Sequence, residues 1–191
     1  RADLVGMDRS GTVLLSGELG APPTQRVQVW TSTGGFTTVA DGAVAADISG
    51  DGTVVGTRST PSGTHAFRWR SDTGVVDLGE GGGRLAACEG TALVTTPLSA
   101  LVLLGADGSR TTVEDTGVPL DLTCSRQLTW RGNFAVGTNL LLPTDGVWRP
   151  DTGAFRLEGT GEVATRYGPV RPFIALDQNE SITATSPFDS G

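Results

Sequence analysis

The chain has no lysine. All 14 of its cationic side chains are arginine, set against 21 Asp and Glu for a net charge of −7 and a pI near 4.6. The arginines form no run. Surfaces that hold nucleic acid or an anionic membrane draw their affinity from clustered cations, so neither partner is expected. The bias from Lys to Arg reads as the codon usage of a high-GC bacterium. No stretch of about 18 apolar residues occurs, so no membrane insertion is expected either.

Histidine and cysteine are nearly as scarce, with one His and two Cys. Any Ser-His-Asp triad would have to use His65, and no Gly-x-Ser-x-Gly nucleophile signature accompanies it. One imidazole and two thiols in no tight spacing do not make a zinc shell. Asp47-Ile48-Ser49-Gly50-Asp51-Gly52 has the look of a calcium loop but lacks the terminal bidentate Glu. Gly79-Glu80-Gly81-Gly82-Gly83-Arg84 has the look of a phosphate cradle, but no helix follows it, and it reads as a flexible connection. No metal and no cofactor are therefore expected. Segments free of helix breakers are also rare. The 28 Gly and 10 Pro are spread along the whole chain, and each interior Gly costs a helix about 1 kcal/mol against Ala. Thr91 to Leu104 lacks Gly, but Pro97 interrupts it. Essentially no helix is expected.

What is present is a repeat. Val44-Ala45-Ala46-Asp47-Ile48-Ser49 turns at Gly50-Asp51-Gly52 into Thr53-Val54-Val55-Gly56-Thr57. A loop at Pro61-Ser62-Gly63 leads to His65-Ala66-Phe67-Arg68-Trp69. A second turn, Ser71-Asp72-Thr73-Gly74, leads to Val75-Val76-Asp77-Leu78-Gly79. These are four short strands joined by turn residues able to reach positive φ. The second half recurs from Trp30 and from Trp148, and in degenerate form from Leu104. The first half recurs at Val5–Leu14 and Ile174–Thr183, and as a shortened version at Ala86–Leu93. Phe134–Thr138 copies Val54–Thr57. A four-strand unit with a period near 40 residues (order of magnitude) is the pattern of propeller blades, which bury their faces only by stacking on neighbours.

The expected fold is all-β, a β-propeller of four-stranded antiparallel blades over 1–191 as a single domain. Approximate blades run 4–40, 43–79, 84–114 and 119–159, with a partial blade at 173–191. A five-bladed ring and an incomplete section of a larger propeller both fit. The unit from Asp47 to Gly79, with His65-Ala66-Phe67 ahead of Trp69 and closing on Asp77-Leu78-Gly79, resembles the HAF-type extracellular repeat of bacteria. That resemblance implies propeller-like architecture and carries no activity with it.

Three sets of candidate residues stand out. Cys88 and Cys124 sit near the first strands of successive blades, where a disulfide is geometrically reasonable; two buried free thiols are the alternative. Asp8, Asp47, Asp121 and Asp177 end first strands, and a ring of acids near the axis could bind a cation or divide acid and base roles. Of the other aspartates in the best-preserved unit, Asp51 is a hairpin turn residue and Asp77 a blade-motif position, and turn chemistry is the plainer reading of both. The segment Gly159 to Pro172 departs most from the repeat and carries Glu162, Arg166, Tyr167 and Arg171. Function concentrates on loops borne by rigid scaffolds, so these four are candidate ligand-binding residues; a harmless insertion is the alternative.

The chain starts at Arg1 without Met, which fits a mature secreted protein or an excised fragment, so an extracellular location is expected. A secreted non-catalytic binding module, with a protein or carbohydrate ligand, accounts for the most features. A propeller enzyme of glycosidase or lyase type working through the axial acids is one alternative. A structural segment of a larger secreted chain, whose remainder completes the fifth blade, is the other.

Overall fold

The computed structural model describes residues 1–19, 24–114, 117–136, 140–156, 163–165, 168–170, 173–176 and 182–185. Two compact units divide the chain, Arg1–Val113 and Glu114–Gly191.

The first unit holds three four-stranded antiparallel sheets, each a meander in chain order. The first contains β1 (Ala2–Met7), β2 (Val13–Leu19), β3 (Thr24–Thr31) and β4 (Gly35–Asp41). The second contains β5 (Ala43–Ile48), β6 (Val54–Thr60), β7 (Gly63–Arg70) and β8 (Gly74–Glu80). The third contains β9 (Gly82–Ala87), β10 (Thr91–Thr95), β11 (Leu101–Leu104) and β12 (Arg110–Val113). In the second unit β13 (Val118–Leu122), β14 (Leu128–Val136), β15 (Leu140–Arg149) and β16 (Gly153–Arg156) form a fourth meander. Two-stranded sheets follow, of β17 (Val163–Thr165) with β18 (Gly168–Val170) and of β19 (Phe173–Leu176) with β20 (Ile182–Thr185). Among the described residues the one helical piece is a single 3-10 turn, Cys88–Gly90.

Register makes the four larger sheets superimposable. Trp30, Trp69, Leu104 and Trp148 occupy one position, opposite Val13, Val54, Ala92 and Leu128. Each first strand carries a bulge two or three residues before its end, so that Val5, Ala46, Arg84 and Leu120 fall out of the ladder. First and second strands are joined through the turns Asp8–Thr12, Ser49–Thr53, Ala87–Thr91 and Thr123–Gln127. The fourth residue of each turn has a positive φ: Gly11 at 84°, Gly52 at 83°, Gly90 at 73° and Arg126 at 68°. A left-handed residue closing a tight hairpin fixes the strand register. The Ala86–Leu93 segment is therefore not shortened: its turn has the same length as the others, with Cys88-Glu89-Gly90 in place of Gly50-Asp51-Gly52.

The core of the first unit lies between sheets. Leu14, Val27, Val29 and Val39 of the first sheet pack on Ala43, Ala45, Ile48, Val54 and Phe67 of the second, with Trp69 closing the edge. The opposite face of the second sheet, through Val55, Ala66 and Leu78, packs on Ala86, Ala92, Val94, Val102 and Leu104 of the third. Period-two alternation thus buries both faces of the second sheet, as stacked blades require. The glycine run after Gly79 is not a flexible linker. A Cβ at Gly81 would sit 2.0 Å from the Thr95 carbonyl oxygen, and one at Gly83 2.5 Å from that of Gly56. These glycines let β9 approach its neighbours closely.

Candidate functional site

The turns between first and second strands, and those between third and fourth, lie at one end of each sheet. In the first unit they enclose a cleft of about 380 Å³ lined by Asp8, Ser10, Thr12, Thr31, Asp51 and Trp69, among others. That volume falls within the range of about 300–1,000 Å³ typical of small-ligand sites.

Asp8 is buried, and its Oδ1 accepts from the Ser10 N–H at 2.9 Å, the Ser10 hydroxyl at 2.8 Å and the Thr12 N–H at 2.7 Å. Burial pushes its carboxyl up, but the Thr12 and Ser10 donors together outweigh that and hold it below the ordinary value. Its Oδ2 lies beside Gly52, where an added Cβ would stand 3.1 Å away. Asp51 is treated alike. Its Oδ1 accepts from the Ser49 hydroxyl at 2.5 Å and from the Thr53 N–H and hydroxyl at 3.2 and 2.9 Å. Its Oδ2 accepts the Glu89 N–H at 2.7 Å. Burial raises this carboxyl too, and the donors from Ser49, Glu89 and Thr53 bring it below the ordinary range. The cleft thus presents two ionised acids, several hydroxyls and one indole.

Register separates the aspartates that the sequence groups together. Asp47 and Asp121 precede the last residue of their strands, and each accepts the next residue's N–H on Oδ1, from Ile48 and Leu122, at 2.8 Å. Asp47 Oδ2 also takes the Ala86 N–H of the next sheet at 2.8 Å, tying β5 to β9. Gly6 holds the equivalent position in the first sheet, where a Cβ would meet Ile48 at 2.8 Å. Asp8 lies two residues further on, in the turn. The repeat's degeneracy hides this offset from simple alignment. The Asp47 carboxylate is an inter-sheet staple, and so is the Asp51 carboxylate through Glu89. Among the described residues no group of three or more His, Cys, Asp or Glu side chains could hold a metal ion. Asp177, Glu162, Arg166, Tyr167 and Arg171 lie outside the described residues.

Cys88 and Cys124 form a disulfide. Each is the second residue of its sheet's first turn, the position of Arg9 and Gly50 in the other two sheets. Arg9 donates its N–H to the Gly50 carbonyl at 3.2 Å.

At the other end of the second sheet, residues that sequence reading treated singly form a chain. The Ser62 hydroxyl lies 3.0 Å from His65 Nε2, and His65 Nδ1 lies 3.0 Å from Asp77 Oδ1. The connectivity is that of a hydrolytic triad. However, Asp77 also takes Arg58 Nη2 on Oδ2 at 2.6 Å and the Gly79 N–H on Oδ1 at 2.8 Å, and the Thr60 hydroxyl lies 2.9 Å from that of Ser62. The order is that of a network fastening β6, β7 and β8 together. The Arg58 guanidinium first, then the Gly79 N–H and His65, hold the Asp77 carboxyl at about 2 against an ordinary 3.8, with burial opposing them. A depressed carboxyl contributes stability that is complete above its unfolded pKa and is lost as pH falls through the folded one. Urea midpoints of the wild type should therefore fall between pH 4 and pH 2 (approximate bounds) more steeply than those of Asp77→Asn, and the two should converge near the lower limit. Parallel curves would show that the network contributes nothing. Because the Asp77 side chain is 39% exposed, salt should shrink the difference.

No family model and no curated protein matches the sequence. The fold does have a solved counterpart. The crystal structure of TolB from Acinetobacter baumannii superimposes with a TM-score of 0.57 at 13% identity, over 82% of this chain and 43% of that one. At this identity the likeness concerns architecture alone, and the chain spans less than half the length of the TolB chain. With the stacked four-stranded sheets, it makes the fold propeller-like. Among the described residues no helix is long and apolar enough to cross a membrane.

Proposed function

We propose that the chain is a non-catalytic binding module on a propeller scaffold, exported from a bacterial cytoplasm, and that its ligand is an oligosaccharide held in the cleft of the first unit. The observation that carries this reading is the combination of Trp69 with two ionised carboxylates and flanking hydroxyls in one cleft of fitting volume. An indole offers a flat apolar face with a polar edge, and acids and hydroxyls accept and donate to the ring hydroxyls of a sugar. A disulfide is compatible with an oxidising compartment, and the HAF-like unit at Asp47–Gly79 agrees with export. The acidic enzyme reading has less to draw on, because Asp47 does not line the cleft with Asp8 and both its oxygens accept backbone N–H groups, from Ile48 and Ala86.

A neutral-oligosaccharide array followed by calorimetry on the best binder tests the proposal. Trp69→Ala should weaken that binder at least tenfold, about 1.4 kcal/mol. Undiminished affinity in Trp69→Ala, or no binder on the array, would overturn it.

A second reading, a structural segment of a larger assembly, has one specific observation in its favour. Leu4, Met7 and Trp30 are 70%, 65% and 36% exposed, yet their counterparts Ala45, Ile48 and Trp69 pack on the preceding sheet. The face that the second sheet offers to the first, and the third to the second, is exposed on the first sheet at these three residues.

A further inference from the structure

The second and fourth sheets carry the same arginine in different surroundings. Arg70 and Arg149 both end a third strand, paired with Gly74 and Gly153. Arg70 is fully engaged. Its Nε donates to Asp72 Oδ1 at 3.1 Å, its Nη2 to Asp72 Oδ2 at 3.3 Å, and its Nη1 stands 3.6 Å from Asp51 Oδ2. The hydrogen bonds it donates to Asp72 raise the guanidinium's pKa.

By register the counterparts in the fourth sheet are Asp151 for Asp72 and Ser125 for Asp51. The acid of the first turn is replaced by a hydroxyl. Asp151 accepts instead from the Thr152 hydroxyl at 3.3 Å, and among the described residues no ion pair reaches Arg149. Its Nε is buried without a hydrogen-bond partner, as is the Oε1 of Gln127. Both residues, with Ser125 and Asp151, line a cleft of about 430 Å³.

We propose that this cleft is a carboxylate-binding site, in which an acidic group of a ligand takes the place beside Arg149 that the Asp51 carboxylate takes beside Arg70. Arg presents a planar fork of donors matched to a carboxylate. The Ser125 hydroxyl would donate to the same group, and Gln127, whose amide also bears donors, would contribute a second contact on turning. The site is separate from the Trp69 cleft, so it stands or falls without the oligosaccharide reading. Acidic peptides and uronic acids share the required chemistry.

Titration of the full chain with N-acetylaspartate and, separately, with glucuronate tests the site, followed through the Arg Nε–H resonances. Arg149 should shift saturably at concentrations of about 1–10 mM, as befits one charge-assisted contact, while Arg70 stays fixed. The more effective probe identifies the source of the acid. Ser125→Asp restores the Asp51 arrangement, so it should abolish the response and raise the thermal midpoint. Arg149→Gln should abolish binding without that rise. A stationary Arg149 signal, or a Ser125→Asp variant that responds as the wild type does, would overturn the proposal. If Ser125→Asp fails to fold, a wild-type probe affinity retained in Arg149→Gln overturns it equally.

Discussion

Reducing the Cys88–Cys124 bond should lower the unfolding free energy by about 4 kcal/mol. The bond closes a loop of about 36 residues, and the chain-entropy relation assigns such a loop roughly 4 kcal/mol at 25 °C. For a chain of this size that corresponds to a fall of roughly 8–16 °C in thermal midpoint. Both cysteines sit in hairpin turns, the part of a sheet that gains least from apolar packing, so little native contact is lost beyond the covalent link. The comparison is between the oxidised wild type and the double variant Cys88→Ser with Cys124→Ser, unfolded in urea without reductant. Equal midpoints, or two free thiols in the denatured, unreduced wild type, would contradict it. The size of the effect also bears on the compartment. A bond of this value is worth keeping where thiols stay oxidised and is lost in a reducing cytosol.

The four-strand unit was legible because turn chemistry and strand chemistry both repeat. Asp-Gly and Thr-Gly pairs mark places where φ must turn positive, and Trp30, Trp69 and Trp148 mark one position on the third strand. The structure gives that position a direction: Trp69 and Leu104 face the preceding sheet. It also shows why Trp30 behaves differently, being 36% exposed on a sheet with that face uncovered. Trp130, fully buried on β14, belongs to no repeated motif and gave no signal in sequence.

The candidate sites were far less legible, for two physical reasons. Residue type alone does not tell a strand position from a turn position: Asp8 is the first residue of its turn, two beyond Gly6, which holds the strand position of Asp47 and Asp121. Side chains that cooperate also come from different hairpins. Trp69 and Asp8 line one cleft from two sheets, and His65 meets Asp77 across the β7–β8 pair, which carries a bulge beside Asp77. Sequence spacing records neither. The contrast between Arg70 and Arg149 is legible only after register equates Asp51 with Ser125, because the motif Trp-Arg-x-Asp-Thr-Gly is the same in both.

The second large effect is expected where one aromatic ring fills the space between the first two sheets. Phe67 is fully buried, and the ring stands over Gly56 so closely that a Cβ there would lie 2.7 Å from its Cε1 and Cζ. The same Cβ would lie 2.4 Å from the Val44 carbonyl oxygen. Sheet pairing puts Gly56 directly opposite Phe67, so the small residue and the large one are a matched pair. Phe67→Ala should cost about 3–5 kcal/mol, the sum of lost transfer energy and the cavity left behind. Gly56→Ala alone should be destabilising as well, because overpacking forces the ring and backbone apart. In the double variant the ring clash is gone but the clash with the Val44 carbonyl remains. The double variant should therefore cost less than the two single variants summed, yet more than Phe67→Ala alone. A double-mutant cycle in urea reads this directly. Strict additivity would mean that the ring and Gly56 do not constrain each other, and that the contact between the first two sheets depends on the aliphatic residues around them.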